Sequence, residues 1–150
     1  MYSDISNAWK TLLKEKPRTL KDRAILWRKE STLKRLERPS RLDRARTLGY
    51  KAKQGFVVIR VRVGRGGMRK KRPKMGRRPR HFGVVRIKGA TSMKLVSQKR
   101  VSDKYPNLTV LNSYMLYQDG RYSWYEVIAF DPYHPSIKRD KELSSIVSKN

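Results

Sequence analysis

From Arg44 to Ser102 the chain carries no carboxylate, while the same stretch holds 20 of its 38 lysines and arginines. A surface normally intersperses both signs, and a field of one sign resists compaction unless a polyanion neutralises it. The densest part runs from Arg60 to Arg80, where Arg62, Arg65, Arg69, Lys70, Lys71, Arg72, Lys74, Arg77, Arg78 and Arg80 stand among glycines and prolines with almost nothing apolar. Such a segment has no reason to fold on itself. A fold must therefore be assembled from the flanks and the few strand-like residues inside the stretch, with the rest left as a basic extension.

The remaining composition narrows the partner class. A net charge of +26 in 150 residues and a pI near 10.9 lie well within the range of nucleic-acid-binding domains. The hydrophobic share of 37% is below the usual 45 to 50% or so of globular chains, so the core should be small. Residues 1–150 fit one domain, with N-terminal helices over about 3–48 and an Arg/Gly-rich loop over about 64–81. The absence of cysteine rules out disulfides and thiolate zinc sites. No apolar run approaches the roughly 18 residues of a membrane span, and Asp4 and Lys10 interrupt the first segment where a signal peptide would be apolar. The expectation is a soluble cytoplasmic protein with no membrane partner, in which Asn107-Leu108-Thr109 is a chance match to a glycosylation site.

Periodicity predicts the elements. Ile5, Trp9, Leu12 and Leu13 recur at helical spacing before Pro17, and Leu20, Ala24 and Trp27 form one stripe of a second helix running from Thr19 to before Pro39. Ser40 with Asp43 has capping-box spacing for a third, short helix that Gly49 stops. In Phe56 to Val63, Val57, Ile59, Val61 and Val63 make one strand face, while Phe56, Val58, Arg60 and Arg62 make another that turns basic. After the arginine loop, Phe82 to Lys88 reads as a short strand and Thr91 to Lys104 as a helix. Asp119-Gly120, between Leu108–Tyr117 and Arg121–Phe130, marks a hairpin. A two-residue turn there sets Met115 opposite Trp124, Tyr114 opposite Tyr125, Leu111 opposite Ile128, Val110 opposite Ala129 and Thr109 opposite Phe130. Both hairpin faces are largely apolar, so helices or RNA should cover each.

Catalytic stock is poor. His81 and His134 are far apart and in no metal-ligand spacing; His134 reads as a turn residue within Asp131-Pro132-Tyr133-His134-Pro135. The twelve acids divide six before and six after the basic stretch, and only Asp140 and Glu142 are close together, as a solvated helix end. No enzyme, metal, cofactor or small-molecule substrate is expected. Gly64-Arg65-Gly66-Gly67-Met68-Arg69-Lys70 lacks the Ser or Thr and the helix that must follow the lysine of a nucleotide phosphate loop. Its glycines instead let the chain follow a polyanion groove, with peptide N–H groups and guanidinium forks on phosphates. Without the partner, disorder is the expected state of this loop.

Candidate polyanion contacts are Arg44, Arg46, Tyr50, Lys51, Lys53, Gln54, Arg60, Arg62, Arg65, Arg69, Lys70, Lys71, Arg72, Lys74, Arg77, Arg78, Arg80 and His81. Tyr50 stands among lysines, and its ring either stacks on a base or packs against protein. The aromatic residues from Tyr105 to Tyr133 sit mostly on the hairpin and read as core.

Arg44-Ala45-Arg46, Leu48-Gly49-Tyr50-Lys51-Ala52-Lys53-Gln54-Gly55, Arg60-Val61-Arg62-Val63 and Arg65-Gly66-Gly67 closely resemble one family. It is the archaeal and eukaryotic large-subunit ribosomal protein family numbered fifteen, suffix e, which is unrelated to the bacterial protein of that number. Val110-Leu111-Asn112-Ser113-Tyr114, Tyr125-Glu126-Val127-Ile128 and Asp131-Pro132-Tyr133-His134 fit it in the same order, so the resemblance spans about Trp9 to Arg139. It implies an α+β fold with a four-stranded, mainly antiparallel sheet, helices on both faces and a long basic loop. It also implies a structural role on large-subunit ribosomal RNA beside neighbouring ribosomal proteins, with no catalytic residues. Family members carry a basic C-terminal extension, and this sequence ends at Ser148-Lys149-Asn150, so that extension's contacts are not carried over.

The expected mechanism is electrostatic: each phosphate neutralised releases counterions, giving a steep salt dependence. Residues 64–81 could span roughly 60 Å fully extended. The rival reading is a DNA-compacting, chromatin-like protein, which shares the charge but for which no recognition-helix pattern or repeated basic tail is evident.

Overall fold

The computed structural model describes residues 2–66, 71–83 and 91–147. Two helices, α1 (Tyr2–Glu15) and α2 (Arg18–Lys29), lead into strand β1 (Leu33–Leu36), a short helix α3 (Leu42–Thr47) and strand β2 (Phe56–Gly64). After the basic loop, which contains one 3-10 turn at Pro79–His81, come α4 (Met93–Lys104), β3 (Thr109–Gln118), β4 (Tyr122–Phe130), α5 (Pro135–Lys138) and α6 (Lys141–Val147). The four strands form one antiparallel sheet in the order β1-β2-β4-β3, the α+β architecture expected.

Burial follows from that order. β4 lies between β2 and β3, and every residue from Ser123 to Phe130 is buried, because helices cover both faces. On one face Leu20, Ala24 and Trp27 of α2 pack with Leu116, Tyr117 and Trp124, and Trp9, Leu12 and Leu13 of α1 close over them. Farther along that face, Ala45 of α3 and Tyr50 pack on Val58, Tyr114 and Ile128. Phe130, Ile137 and Leu143 continue it toward the C-terminal helices. The opposite face belongs to α4, whose Met93, Val96 and Val101 pack on Ile59, Val61, Val63, Tyr125 and Val127.

The sheet differs from expectation in its fourth strand. The second helix stops at Lys29, and Leu33–Leu36 pairs with β2, Leu33 opposite Val61 and Leu36 opposite Val58. Leu33 and Leu36 are three apart, which suits a helical stripe, yet Leu33 joins the α4 cluster and Leu36 the α3 cluster. A strand sends such residues to opposite faces, and the edge of β2 supplied the partner that outweighs helix propensity. Of the strand expected over Phe82–Lys88, Phe82 and Gly83 form a bend and 84–90 lie outside the described residues.

The hairpin is present with a different register. The chain reverses over Gly120 and Arg121, since Asp119 N–H donates to the Tyr122 carbonyl at 2.9 Å. The Asp119 carboxylate accepts from the backbone N–H of Arg121 at 2.7 Å and of Tyr122 at 2.5 Å. A side-chain-supported turn of this kind replaces the glycine-dependent one, and Gly120 keeps out of the left-handed region. Tyr117 therefore faces Trp124, Met115 faces Tyr125 and Asn112 faces Ile128. Irregularities between Met115 and Tyr117 and between Val110 and Asn112 each take up one residue. By Val110–Ala129 and Thr109–Phe130 the pairing is the expected one.

Ser40 does not cap the third helix. Its hydroxyl donates to Glu126 Oε1 at 2.5 Å and its N–H to Oε2 at 3.0 Å, while Arg41 occupies the cap position without a side-chain capping bond. Glu126 is fully buried at the centre of β4, and the Tyr114 hydroxyl also donates to it. The Tyr114 hydroxyl is held well above its ordinary pKa, first by burial and then by the Glu126 charge and hydrogen bond. A buried carboxylate is tolerable only when such donors replace water. Here they stitch the β1–α3 connection onto the sheet.

Candidate nucleic-acid interface

Whether a cation is available to a polyanion depends on which carboxylate it already meets. Arg60, expected on an outward basic face, is buried: its guanidinium bonds Glu30 and lies 4.7 Å from the Trp27 ring centroid. The helices that cover this face turned it into interior. Arg62 is half-buried, 5.0 Å from the Tyr122 ring centroid, and donates to the Arg28 carbonyl. Arg28 in turn grips Asp119 through Nε at 2.9 Å and Nη2 at 2.6 Å. Burial works against ionisation of Asp119, but the N–H groups of Tyr122 and Arg121 and the Arg28 guanidinium outweigh it and lower its pKa.

Tyr50 is also interior, at 9% exposure, edge-on to Phe56 with centroids 5.7 Å apart. Its ring packs against protein and presents no face for a base. The cause is the helix stop: Gly49, at φ +92°, lets Gly49 N–H reach the Arg46 carbonyl at 3.0 Å and Tyr50 N–H reach the Ala45 carbonyl at 2.9 Å. In this Schellman arrangement the residue after the glycine folds back onto the last helical turn.

Lys51 and Lys53 follow in the same turn. Lys51 Nζ donates to Asp140 and Glu142 at 2.8 Å each, and Lys53 Nζ to Asp140 at 3.2 Å. Asp140 and Glu142 thus form a clamp and not a merely solvated helix end. Hydrogen bonds from Lys51 and Lys53 lower the Asp140 pKa to about 2, and those to Asp140 and Glu142 raise that of Lys51.

The loop contrasts with all of these. Arg65, Lys71, Arg72, Lys74, Arg77, Arg78, Arg80 and His81 are exposed, and no described carboxylate forms an ion pair with any of them. Arg65 is anchored at the loop's root by a 3.0 Å bond to the Asp119 carbonyl. Arg69 and Lys70 lie outside the described residues. Arg44 and Arg46 on α3 and Gln54 after it are likewise exposed. Exposed guanidinium forks of this kind are suited to bidentate contact with phosphate oxygens.

A family model described as Ribosomal L15 matches residues 1–150. The chain belongs to the ribosomal L15e family. It is 51% identical over 149 residues to the large ribosomal subunit protein eL15 of Methanococcoides burtonii, a match covering 99% of this chain and 76% of that protein. The resemblance read from the motifs is the family found, a family of ribosomal proteins of archaeal and eukaryotic type and not of enzymes.

Within this member of the ribosomal L15e family, the residues that motif reading missed are the acids that remove cations from the surface: Glu30, Asp119 and Asp140. Their partners lie 30 to 91 positions away, a separation at which sequence carries no pairing signal. His134 acts as the turn residue expected, its Nδ1 accepting the Ser136 N–H at 3.2 Å as the cap of α5. Among the described residues there is no metal-ligating cluster and no helix long and apolar enough to cross a membrane.

Proposed function

We propose that the protein is a structural constituent of the large ribosomal subunit, in cytoplasmic ribosomes, that clamps folded large-subunit ribosomal RNA beside neighbouring ribosomal proteins. One observation carries the reading: Arg28, Lys51, Lys53 and Arg60 of the folded part meet its own acids, whereas the described cations of the loop, and Arg44 and Arg46 of α3, are exposed and form no ion pair. Arg65, Arg69, Lys70, Lys71, Arg72, Lys74, Arg77, Arg78, Arg80 and His81 make the principal contacts, with Arg44, Arg46 and Gln54 as further contacts on the folded part. Arginine forks bridge phosphates of RNA helices that would otherwise repel one another. Residues 1–150 act as one unit, the sheet serving as anchor and the loop as probe.

Competition binding tests this. At physiological salt the protein should prefer structured large-subunit ribosomal RNA to duplex DNA, and equal affinity for the two would favour a DNA-compacting protein instead. Purified protein should cleave neither nucleic acid when magnesium is added.

A further inference from the structure

α4 covers the sheet face over Val61, Val63 and Val127, and beyond its C-terminal end a hollow of about 380 Å³ opens. Its floor is apolar, formed by Val57, Ile59 and Leu108, and Tyr105 contributes a half-buried ring. Lys104 Nζ lies 5.6 Å from that ring's centroid. Around the rim are Arg35, Asn107, Asp131 and His134. The volume falls in the range of roughly 300 to 1,000 Å³ typical of small-ligand sites.

The polar rim has capacity left to use. Arg35 and Asn107 are exposed, and neither side chain bonds to any described residue. His134 spends Nδ1 on the Ser136 N–H, which fixes the proton on Nε2 and leaves that nitrogen a donor. Asp131 Oδ1 accepts the Tyr133 N–H, and the second oxygen can still accept. An apolar floor, one aromatic ring, an arginine and a mixed set of donors and acceptors is the combination by which proteins hold splayed-out bases of single-stranded RNA. Arg35 without an acid partner, Lys104 over the ring and the net charge of +26 favour a nucleotide over an apolar peptide.

We propose that the hollow between the end of α4 and the β1–β2 edge holds one unstacked nucleobase of the bound RNA, its phosphate on Arg35 and its edge read by Asn107, Asp131 and His134. The proposal rests on the RNA-binding reading above and adds to it a base-specific contact away from the arginine loop. The free Asp131 oxygen calls for a donor on the base edge, an exocyclic amino group of adenine, guanine or cytosine or a ring imino N–H.

The test compares wild type with Asn107→Trp, which fills the hollow from an exposed loop position, on in vitro transcribed archaeal large-subunit ribosomal RNA. Dimethyl sulfate and carbodiimide probing reads the bases, and titrations at several salt concentrations read the phosphates. Asn107→Trp should weaken binding roughly tenfold or more, leave the salt slope unchanged and make one unpaired base reactive that wild type protects. Arg35→Gln should lower the slope by about one contact. Wild-type binding that Asn107→Trp leaves within twofold, with no base changing reactivity, overturns the hollow alone, whereas failure of wild type to bind overturns the RNA reading itself. If melting shows that Asn107→Trp does not fold, Asn107→Leu, which removes the amide donor and acceptor without changing charge, is read by the same criteria.

Discussion

A Cβ added at Gly55 would lie 2.7 Å from Ile137 Cγ1 and 3.1 Å from His134 Cβ, on backbone at φ +94°. Strain and overpacking act together there, and Gly55→Ala should cost roughly 1 to 3 kcal/mol, visible as a lowered thermal midpoint. Lys16 is the converse case: at φ +49° it closes α1 in the left-handed conformation, its N–H on the Leu12 carbonyl at 3.0 Å. Lys16→Gly should therefore stabilise the fold, by up to about 1 kcal/mol. The Lys51–Asp140–Lys53 clamp has a defined pH window. The Asp140 pKa drops from 3.8 unfolded to about 2 folded, so its contribution is fully present above about pH 4 and is lost as pH falls through 2. Carboxylate NMR of Asp140 should titrate near 2, and an ordinary value would contradict the clamp. At this scale sequence was informative where one local rule applied and ambiguous where two competed. Gly49 was legible as a helix stop, and the same motif dictates the burial of Tyr50, yet the flanking lysines favoured an exposed ring equally well.

Among the elements, β4 depends on its one buried charge. Glu126→Leu would leave the Ser40 N–H, the Ser40 hydroxyl and the Tyr114 hydroxyl without their acceptor, so a loss of roughly 2 to 4 kcal/mol is expected in denaturant unfolding. A change below about 0.5 kcal/mol would show that the β1–α3 connection is held by something else. The loop should behave in the opposite way. Replacing Lys71, Arg72, Arg77 and Arg78 by serine should leave the melting temperature of the free protein unchanged, because these side chains are exposed and unpaired. The log affinity against log salt slope for RNA should fall by about 3. Element types were readable wherever one periodicity held: α1, β2 and both hairpin strands stood out, while α4 carried a weaker pattern. The β1 strand was hidden because Leu33 and Leu36 satisfy helical spacing and only the edge of β2 decides between the alternatives. Hairpin register was hidden because the Asp119 carboxylate, and not a left-handed Gly120, builds the turn.

Over the whole molecule, 38 cations against 12 acids are sorted by position as well as number. Glu30 after α2, Asp119 in the hairpin turn and Asp140 and Glu142 near the C-terminal helices bind Arg60, Arg28, Lys51 and Lys53, and no described cation of the loop has an acid partner. That partition could not be read from sequence, since it depends on contacts between residues up to 91 positions apart, whereas the acid-free stretch and the motifs of the ribosomal L15e family could. This surplus charge is expected to hold the protein in the large ribosomal subunit. Sedimentation of cell extract through sucrose gradients at low, moderate and high salt tests it most directly. The protein should travel with the large subunit at low and moderate salt and leave it only at high salt, with the loop variant leaving at lower salt than wild type. Sedimentation as a free protein at low salt, or identical release of variant and wild type, would show that the loop charge does not hold it there.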